Sequence, residues 1–363
     1  MSTIIECGAR REYAKNIIDA ASAISDASAL KNARLLITGA TGLVGGAFVR
    51  TLLYLNRTQE LNISLLLPVR SLERAKTALY GIYGRSEVSV FEADIEVPLN
   101  IEGKIDYMLH AASPTASKEF TSHPASVLTS VLKSNEALLD LARLKSVKKY
   151  LYISSMEAFG VTASSDTPAR EEDLGYVSLS SPRSCYPEGK RVNELMCLCY
   201  AGEYGVNALS ARLAQTFGAG IGPNENRVFA QFARSALKGE NLVLRTKGES
   251  VGNYVHISDC VSALITLLLK GESGETYTVV GDNCSAKIKE LAYLISSTLS
   301  GGKSRVVFDL PKDSGELSYA PDTCLRLDNS KLKTLGWTPV HSLADAIKSL
   351  GEDIKQFNGE EKA

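Results

Sequence analysis

Residues 35–45 read Leu-Leu-Ile-Thr-Gly-Ala-Thr-Gly-Leu-Val-Gly, and the apolar character resumes at helical spacing through Val49 and Leu53. A short apolar run that breaks into glycines and reopens as a helix predicts a strand, a tight turn and a crossover. Glycine lets the backbone turn sharply and come close to a pyrophosphate, and the next helix offers its free N–H groups and positive dipole end to that anion. Gly39, Thr41, Gly42, Leu43, Val44 and Gly45 are therefore the residues expected against a dinucleotide. Their G-x-x-G-x-x-G spacing departs from the G-x-G-x-x-G fingerprint.

From 34 to about 155 the chain keeps alternating short apolar runs with helical ones, the pattern of a parallel sheet wound by right-handed crossovers. Ligands of such sheets bind beyond the carboxyl ends of the strands. Three junctions are candidates on that ground. The run Ile63 to Val69 ends at Arg70, where a ribose hydroxyl would need an acceptor. With Arg74 and Lys76 following, the charges there suit a 2′-phosphate and lean toward NADP over NAD. Val88 to Phe91 leads into Ala93-Asp94-Ile95, expected at the adenine, and Asp106 to His110 leads into Ala111-Ala112-Ser113.

The 363 residues carry 40 Lys+Arg against 41 Asp+Glu, so no electrostatic footprint points to nucleic acid or an anionic membrane. No apolar run approaches the roughly 20 residues of a membrane span, and no basic start precedes an apolar signal core. A cytoplasmic protein is the expectation. The 7 cysteines form no C-x-x-C pair and the 4 histidines no cluster, so no metal site is expected and the thiols are read as free and mostly buried.

Residues 1–32 are expected to form a helical extension, with Tyr13, Ile17, Ile18, Ala21 and Ile24 on one face, and 33–216 a Rossmann-type, doubly wound dinucleotide-binding domain. Residues 217–350 are read chiefly as a smaller α/β substrate lobe interleaved with the first domain, and 351–363 as a charged tail. Pro124 to Leu144 makes a long helix, Tyr150 to Ser154 a strand, and Ser164–Pro168 and Ser178–Pro182 loops. A helix follows to Tyr204, stopped by Gly205, and then a strand over Val206–Leu213.

Tyr186 and Lys190 are spaced by four on that helix and share one face. A phenol beside an ammonium moves protons, and the cation is expected to favour the phenolate. Ser155 stands upstream at a strand end, in Ile153-Ser154-Ser155-Met156-Glu157-Ala158-Phe159-Gly160. Glycine turn, strand-end Ser and Tyr-x-x-x-Lys, in this order, resemble the extended short-chain dehydrogenase/reductases, in particular their nucleotide-sugar epimerase/dehydratase branch. Later matches are Tyr254-Val255-His256-Ile257-Ser258-Asp259 and Leu335-Gly336-Trp337-Thr338-Pro339. The run Arg183 to Arg191 looks most like UDP-glucuronate decarboxylases.

The resemblance implies Tyr186 as acid/base on a sugar hydroxyl, Lys190 as its partner and a ribose holder, and Ser155 as a donor to the substrate oxygen. It implies a tightly bound, recycled NAD or NADP, a nucleotide-diphosphate sugar or polyol as substrate, and a homodimer. Glu157 is the candidate for a proton abstraction that follows oxidation. Met156 replaces an acid of the dehydratase relatives and has no proton to give. Gly252 stands where relatives often carry an arginine and Gln215 where many carry asparagine, so Ser113, Gln215, Arg227 and Arg326 are the substrate-binding candidates, the arginines as diphosphate clamps. Epimerisation, dehydration or decarboxylation through a transient ketone is the leading expectation. An NADP-dependent carbonyl reductase and a catalytically silent dinucleotide-binding protein are the alternatives.

Overall fold

The computed structural model describes residues 10–162, 167–310 and 324–360, without the side chains of 358–360. Cys7 and most of the Ser164–Pro168 loop lie outside them.

The main sheet is built from β1 (Arg34–Thr38), β2 (Ser64–Val69), β3 (Val88–Glu92), β4 (Tyr107–His110), β5 (Lys149–Ser155), β6 (Ala208–Leu213) and a late strand, β10 (Thr276–Val279). Its 7 strands run in the order β10-β6-β5-β4-β1-β2-β3, every pairing parallel. Alternation along each strand explains why both faces are covered. Leu35 and Ile37 enter one core while Leu36 enters the other, and Leu151 opposes Tyr150 and Tyr152 in the same way. The first core takes in α1 (Arg11–Ser22), α2 (Leu43–Thr58) and α8 (Ile257–Lys270). The second takes in α5 (Pro124–Lys145) and α6 (Cys185–Tyr204).

Strand order reverses between β1 and β4, which opens a crevice at their carboxyl ends. The glycine turn follows β1, and Ala111–Ser113 follow β4. Gly39 has φ +72°, and a Cβ there would lie 2.7 Å from the backbone of Ala111 and Ala112. A methyl at Gly45 would overlap the Gly39 carbonyl oxygen. The two glycines thus let strand end, helix start and neighbouring loop close on one another.

The later residues form the smaller lobe: β7 (Gln215–Phe217), β9 (Val251–His256) and β11 (Ser285–Lys287) in one sheet, β8 (Leu242–Leu244) and β12 (Val306–Phe308) in another. Helices α7 (Val228–Lys238), α9 (Ile288–Leu299) and α11 (Leu343–Glu360) pack on them around Phe217, Phe229, Leu291, Ile295 and Ile347. Lobe and main domain interleave, since β10 joins the large sheet.

The stretch after Gly351, expected as a charged tail, instead continues α11 through residue 360. Asp353 is the reason: it is 1 % exposed and accepts from Arg10 at 2.7 and 2.8 Å and from the Gly220 N–H at 2.8 Å. The charge run is one wall of a buried knot. Asn16 completes it, accepting from the Ala219 N–H and the Ser349 hydroxyl. In this way α1 and α11 together hold the Gly218–Gly220 turn.

Candidate active site

Ser155 ends β5, and the 3-10 turn Met156–Phe159 follows at once, its first free N–H groups partly satisfied because the Ser155 hydroxyl accepts from the Glu157 N–H at 3.2 Å. The same hydroxyl lies close enough to the Tyr186 phenol to favour its anion. Arg191, one turn along α6, donates to the carbonyls of Ala158 and Gly175, both at 2.7 Å, and so ties the turn to the helix that carries Tyr186. The turn that carries Ser155 and Glu157 is therefore held to the helix that carries Tyr186 by hydrogen bonds as well as packing.

Tyr186 is buried and stacked on Phe120 of α4 (Ser117–Ser122), with ring centroids 4.3 Å apart and planes 12° from parallel. Burial and the Glu157 carboxylate push its hydroxyl well above the ordinary phenol range. The Ser155 hydroxyl and the Arg227 and Arg183 guanidinium groups pull the other way. Lys190 Nζ donates to the Ile153 carbonyl at 2.8 Å and sits 5.6 Å from the Tyr186 ring centre. Its burial, only partly offset by Glu194, brings it down to about 7. Lys190 is thus a desolvated ammonium held on a backbone carbonyl beside the phenol.

Glu194 is itself anchored, gripped by Arg212 at 2.7 to 3.1 Å and by the Ser154 hydroxyl. Behind it, Asn193 accepts the structural load by donating to the Tyr152 hydroxyl at 2.9 Å and the Val131 carbonyl at 2.8 Å.

Glu157 is held by a residue to which the sequence reading gave no role. Arg183, on the turn Pro182–Ser184, grips both of its oxygens, at 2.8 and 3.3 Å. The signal lay in the spacing, since Arg183 precedes Tyr186 by three (186 − 183). Phe120 had no sequence signal at all, because its contact is made across a crossover.

At the crevice, α2 begins at Gly42 with no side chain capping its N–H groups, which leaves Leu43, Val44 and Gly45 N–H groups available to an anion. Thr38 beneath the turn shares a hydrogen bond with His110 at 2.9 Å and accepts from the Ala112 N–H at 3.2 Å, fixing the spacing of the two loops. Uncapped helix start, sterically required glycines and convergent loops fit a dinucleotide pyrophosphate. Thr41 is exposed in the turn. Arg70 is exposed at the end of β2 with no side-chain partner among the described residues, and Asp94 is exposed beyond β3, where it accepts from the Glu96 N–H beside the half-buried Ile95.

The substrate candidates are spread more widely. Ser113 is half-buried on the loop after β4. Arg227 caps the start of α7, is paired with Glu225 at 2.7 Å, and is close enough to Tyr186 to favour its anion. Gln215 opens β7 and pairs in register with Tyr254. Arg326 is exposed, its backbone carbonyl accepting from Ala169. At Gly252 a side chain has no room, because the Tyr254 phenol lies across its α-carbon. Among the described residues no group of 3 or more His, Cys, Asp or Glu side chains is arranged to hold a metal, and the 6 described cysteines are free. No helix among the described residues is long and apolar enough to cross a membrane.

Residues 35–280 match the sequence profile of the NAD dependent epimerase/dehydratase family. UDP-glucuronic acid decarboxylase 1 of Danio rerio is 30% identical over 76% of this chain and 62% of its own length, and its Xenopus tropicalis counterpart 31% identical over 73% and 60%. This chain thus spans about three fifths of those two proteins. UDP-glucuronic acid decarboxylase 3 of Arabidopsis thaliana is 26% identical over 89% of this chain and 90% of its own length. Among solved structures, the UDP-glucuronic acid 4-epimerase of Bacillus cereus, in complex with UDP-glucuronic acid and NAD, superposes with a TM-score of 0.73 at 22% identity, covering 89% of this chain and 99% of the other.

Proposed function

The chain belongs to the NAD dependent epimerase/dehydratase family, and from that premise we propose that it processes a nucleotide-diphosphate sugar through a transient ketone, with decarboxylation of a UDP-hexuronate as the net reaction. The observation that carries the reading is the convergence of Ser155, Tyr186 and Lys190 beside the crevice with Glu157 against the same phenol. The nicotinamide supplies the hydride acceptor and later the donor. Gly39, Gly42, Leu43, Val44 and Gly45 would hold its pyrophosphate, with Ala111–Ser113 across the crevice and Asp94, Ile95 and Arg70 offered to its adenosine.

Tyr186, as the phenolate left once its own proton has passed toward Lys190, takes the proton of the sugar hydroxyl as that carbon is oxidised. Ser155 and the re-protonated Tyr186 then donate to the carbonyl oxygen, where negative charge collects when an adjacent carboxylate leaves as carbon dioxide. Loss of carbon dioxide makes the enolate without a base for a C–H bond. It therefore asks least of Met156, which has no proton to give where a dehydratase carries an acid, and of Glu157, which is kept but tied to Arg183. Arg227 and Arg326, with Ser113 and Gln215, are the groups offered to the nucleotide diphosphate. A second copy of the chain is the partner we propose for α6, which exposes Val192, Leu195, Leu198 and Tyr204.

Incubation with UDP-glucuronate, UDP-glucose and dTDP-glucose, followed by product identification, tests the reading. It predicts turnover without stoichiometric cofactor and a pentose product from the uronate. A requirement for one NADPH per turnover would favour the reductase.

A further inference from the structure

Arg183 has no part in the steps above, yet its placement is specific. Its guanidinium holds both oxygens of Glu157 and lies 5.8 Å from the ring centre of Phe120, the same ring that stacks on Tyr186. We propose that Arg183 is a positioning residue which, by fixing and neutralising Glu157, sets how readily Tyr186 gives up its proton at the start of the reaction. The inference rests on the oxidation step of the function proposed above and adds a residue to it.

The polar and aromatic groups around Tyr186 come from several elements, with the apolar Val127 and Val131 of α5 beside them. Ser155 and Tyr152 belong to β5, Glu157 to the turn after it, Arg183 to the turn before α6, and Cys185 and Lys190 to α6. Phe120 comes from α4 and Arg227, with its own Glu225, from the start of α7. Glu157 is the carboxylate that opposes a Tyr186 anion; Arg183 and Arg227 favour it. An unpaired Glu157 would be a like charge beside the forming phenolate. The two-point grip of a guanidinium on a carboxylate is the arrangement that fixes its orientation and offsets its charge. Side-chain exposures of 42% for Arg183 and 30% for Glu157 leave the pair partly screened by water, so its effect on the phenol is moderate.

The test measures, as a function of pH, the reduction of bound nicotinamide in a single turnover by the three nucleotide sugars named above. In parallel, Tyr186 is titrated by NMR of isotope-labelled tyrosine in the NAD-loaded protein, its signal assigned by its loss in Tyr186→Phe. Arg183→Met is expected to move the rising limb of the rate and the Tyr186 titration to higher pH by about half to one unit, and Glu157→Gln to move both to lower pH. The double variant returns near wild type, and Arg183→Lys, which keeps the charge, stays close to it. Shifts of Arg183→Met and Glu157→Gln in the same direction, or equal losses of rate at every pH with no shift, would overturn the proposal. If wild-type protein reduces its nicotinamide with none of the sugars, the proposed function fails, and the ordering of the Tyr186 titrations alone decides the role of Arg183.

Discussion

At the scale of residues, the site is a contest between burial and hydrogen bonding for one phenol proton. Tyr186 is raised by its burial and by Glu157, and the residue expected to lower it, Lys190, is itself desolvated to about 7. Replacing the phenol removes the acid/base group without touching the Phe120 stack. Tyr186→Phe is expected to lower the rate of substrate oxidation by roughly 10²–10⁴-fold. Affinity for NAD, measured by calorimetry, should stay within a few-fold. The identities of Ser155, Tyr186 and Lys190 were legible because helical spacing and chain order carry them. Their electrostatics were not, since whether a lysine stabilises a phenolate depends on where its charge is spent, here on the Ile153 carbonyl. Arg183 offered only its spacing of three from Tyr186; its pairing with a residue 26 positions away was not legible.

At the scale of elements, the glycine turn and the long helices were readable from apolar periodicity and from stop signals such as Gly205. The last helix was not, because its charged residues look solvated until Arg10 and the Gly220 N–H are brought to Asp353 by tertiary packing. The N-terminal helix is tied down a second way. His341 Nδ1 meets Asp259 at 3.0 Å and its Nε2 meets Asp19 of α1 at 3.5 Å, with the ring stacked 4.0 Å from His256. Burial alone would lower His341, but the two carboxylates outweigh it and hold its pKa above the ordinary value of 6.5. A pKa raised on folding stabilises fully below the unfolded value and is lost as pH rises through the folded one. His341→Asn is therefore expected to lower the melting temperature most below about pH 6.5, with the gap to wild type narrowing on the alkaline side. A gap that widens with pH would contradict this account of the contact.

At the scale of the whole molecule, the strand reversal between β1 and β4 puts the cofactor crevice between the two sheet halves, and β6 with the smaller lobe brings Arg227 to the far side of Tyr186. The parallel sheet was legible from the alternation of runs. The lobe was seen only as a change of texture, because its strands are 3 to 6 residues long and pair across large gaps in sequence. The exposed apolar face of α6 belongs to the same scale. The dimer proposed on this face predicts a wild-type dimer in sedimentation that Leu195→Glu with Leu198→Glu converts to a monomer, with the far-ultraviolet circular dichroism unchanged; a wild-type monomer would contradict it.

The central claim is that the hydride removed from the sugar is the one given back. Single-turnover reaction of the NAD-loaded protein with UDP-glucuronate carrying deuterium on the oxidised carbon, with product analysed by mass spectrometry, tests it most directly. Product that retains the deuterium on the same carbon is the predicted result. Product lacking the label, with deuterium left in the nicotinamide or exchanged into added cofactor, would contradict it.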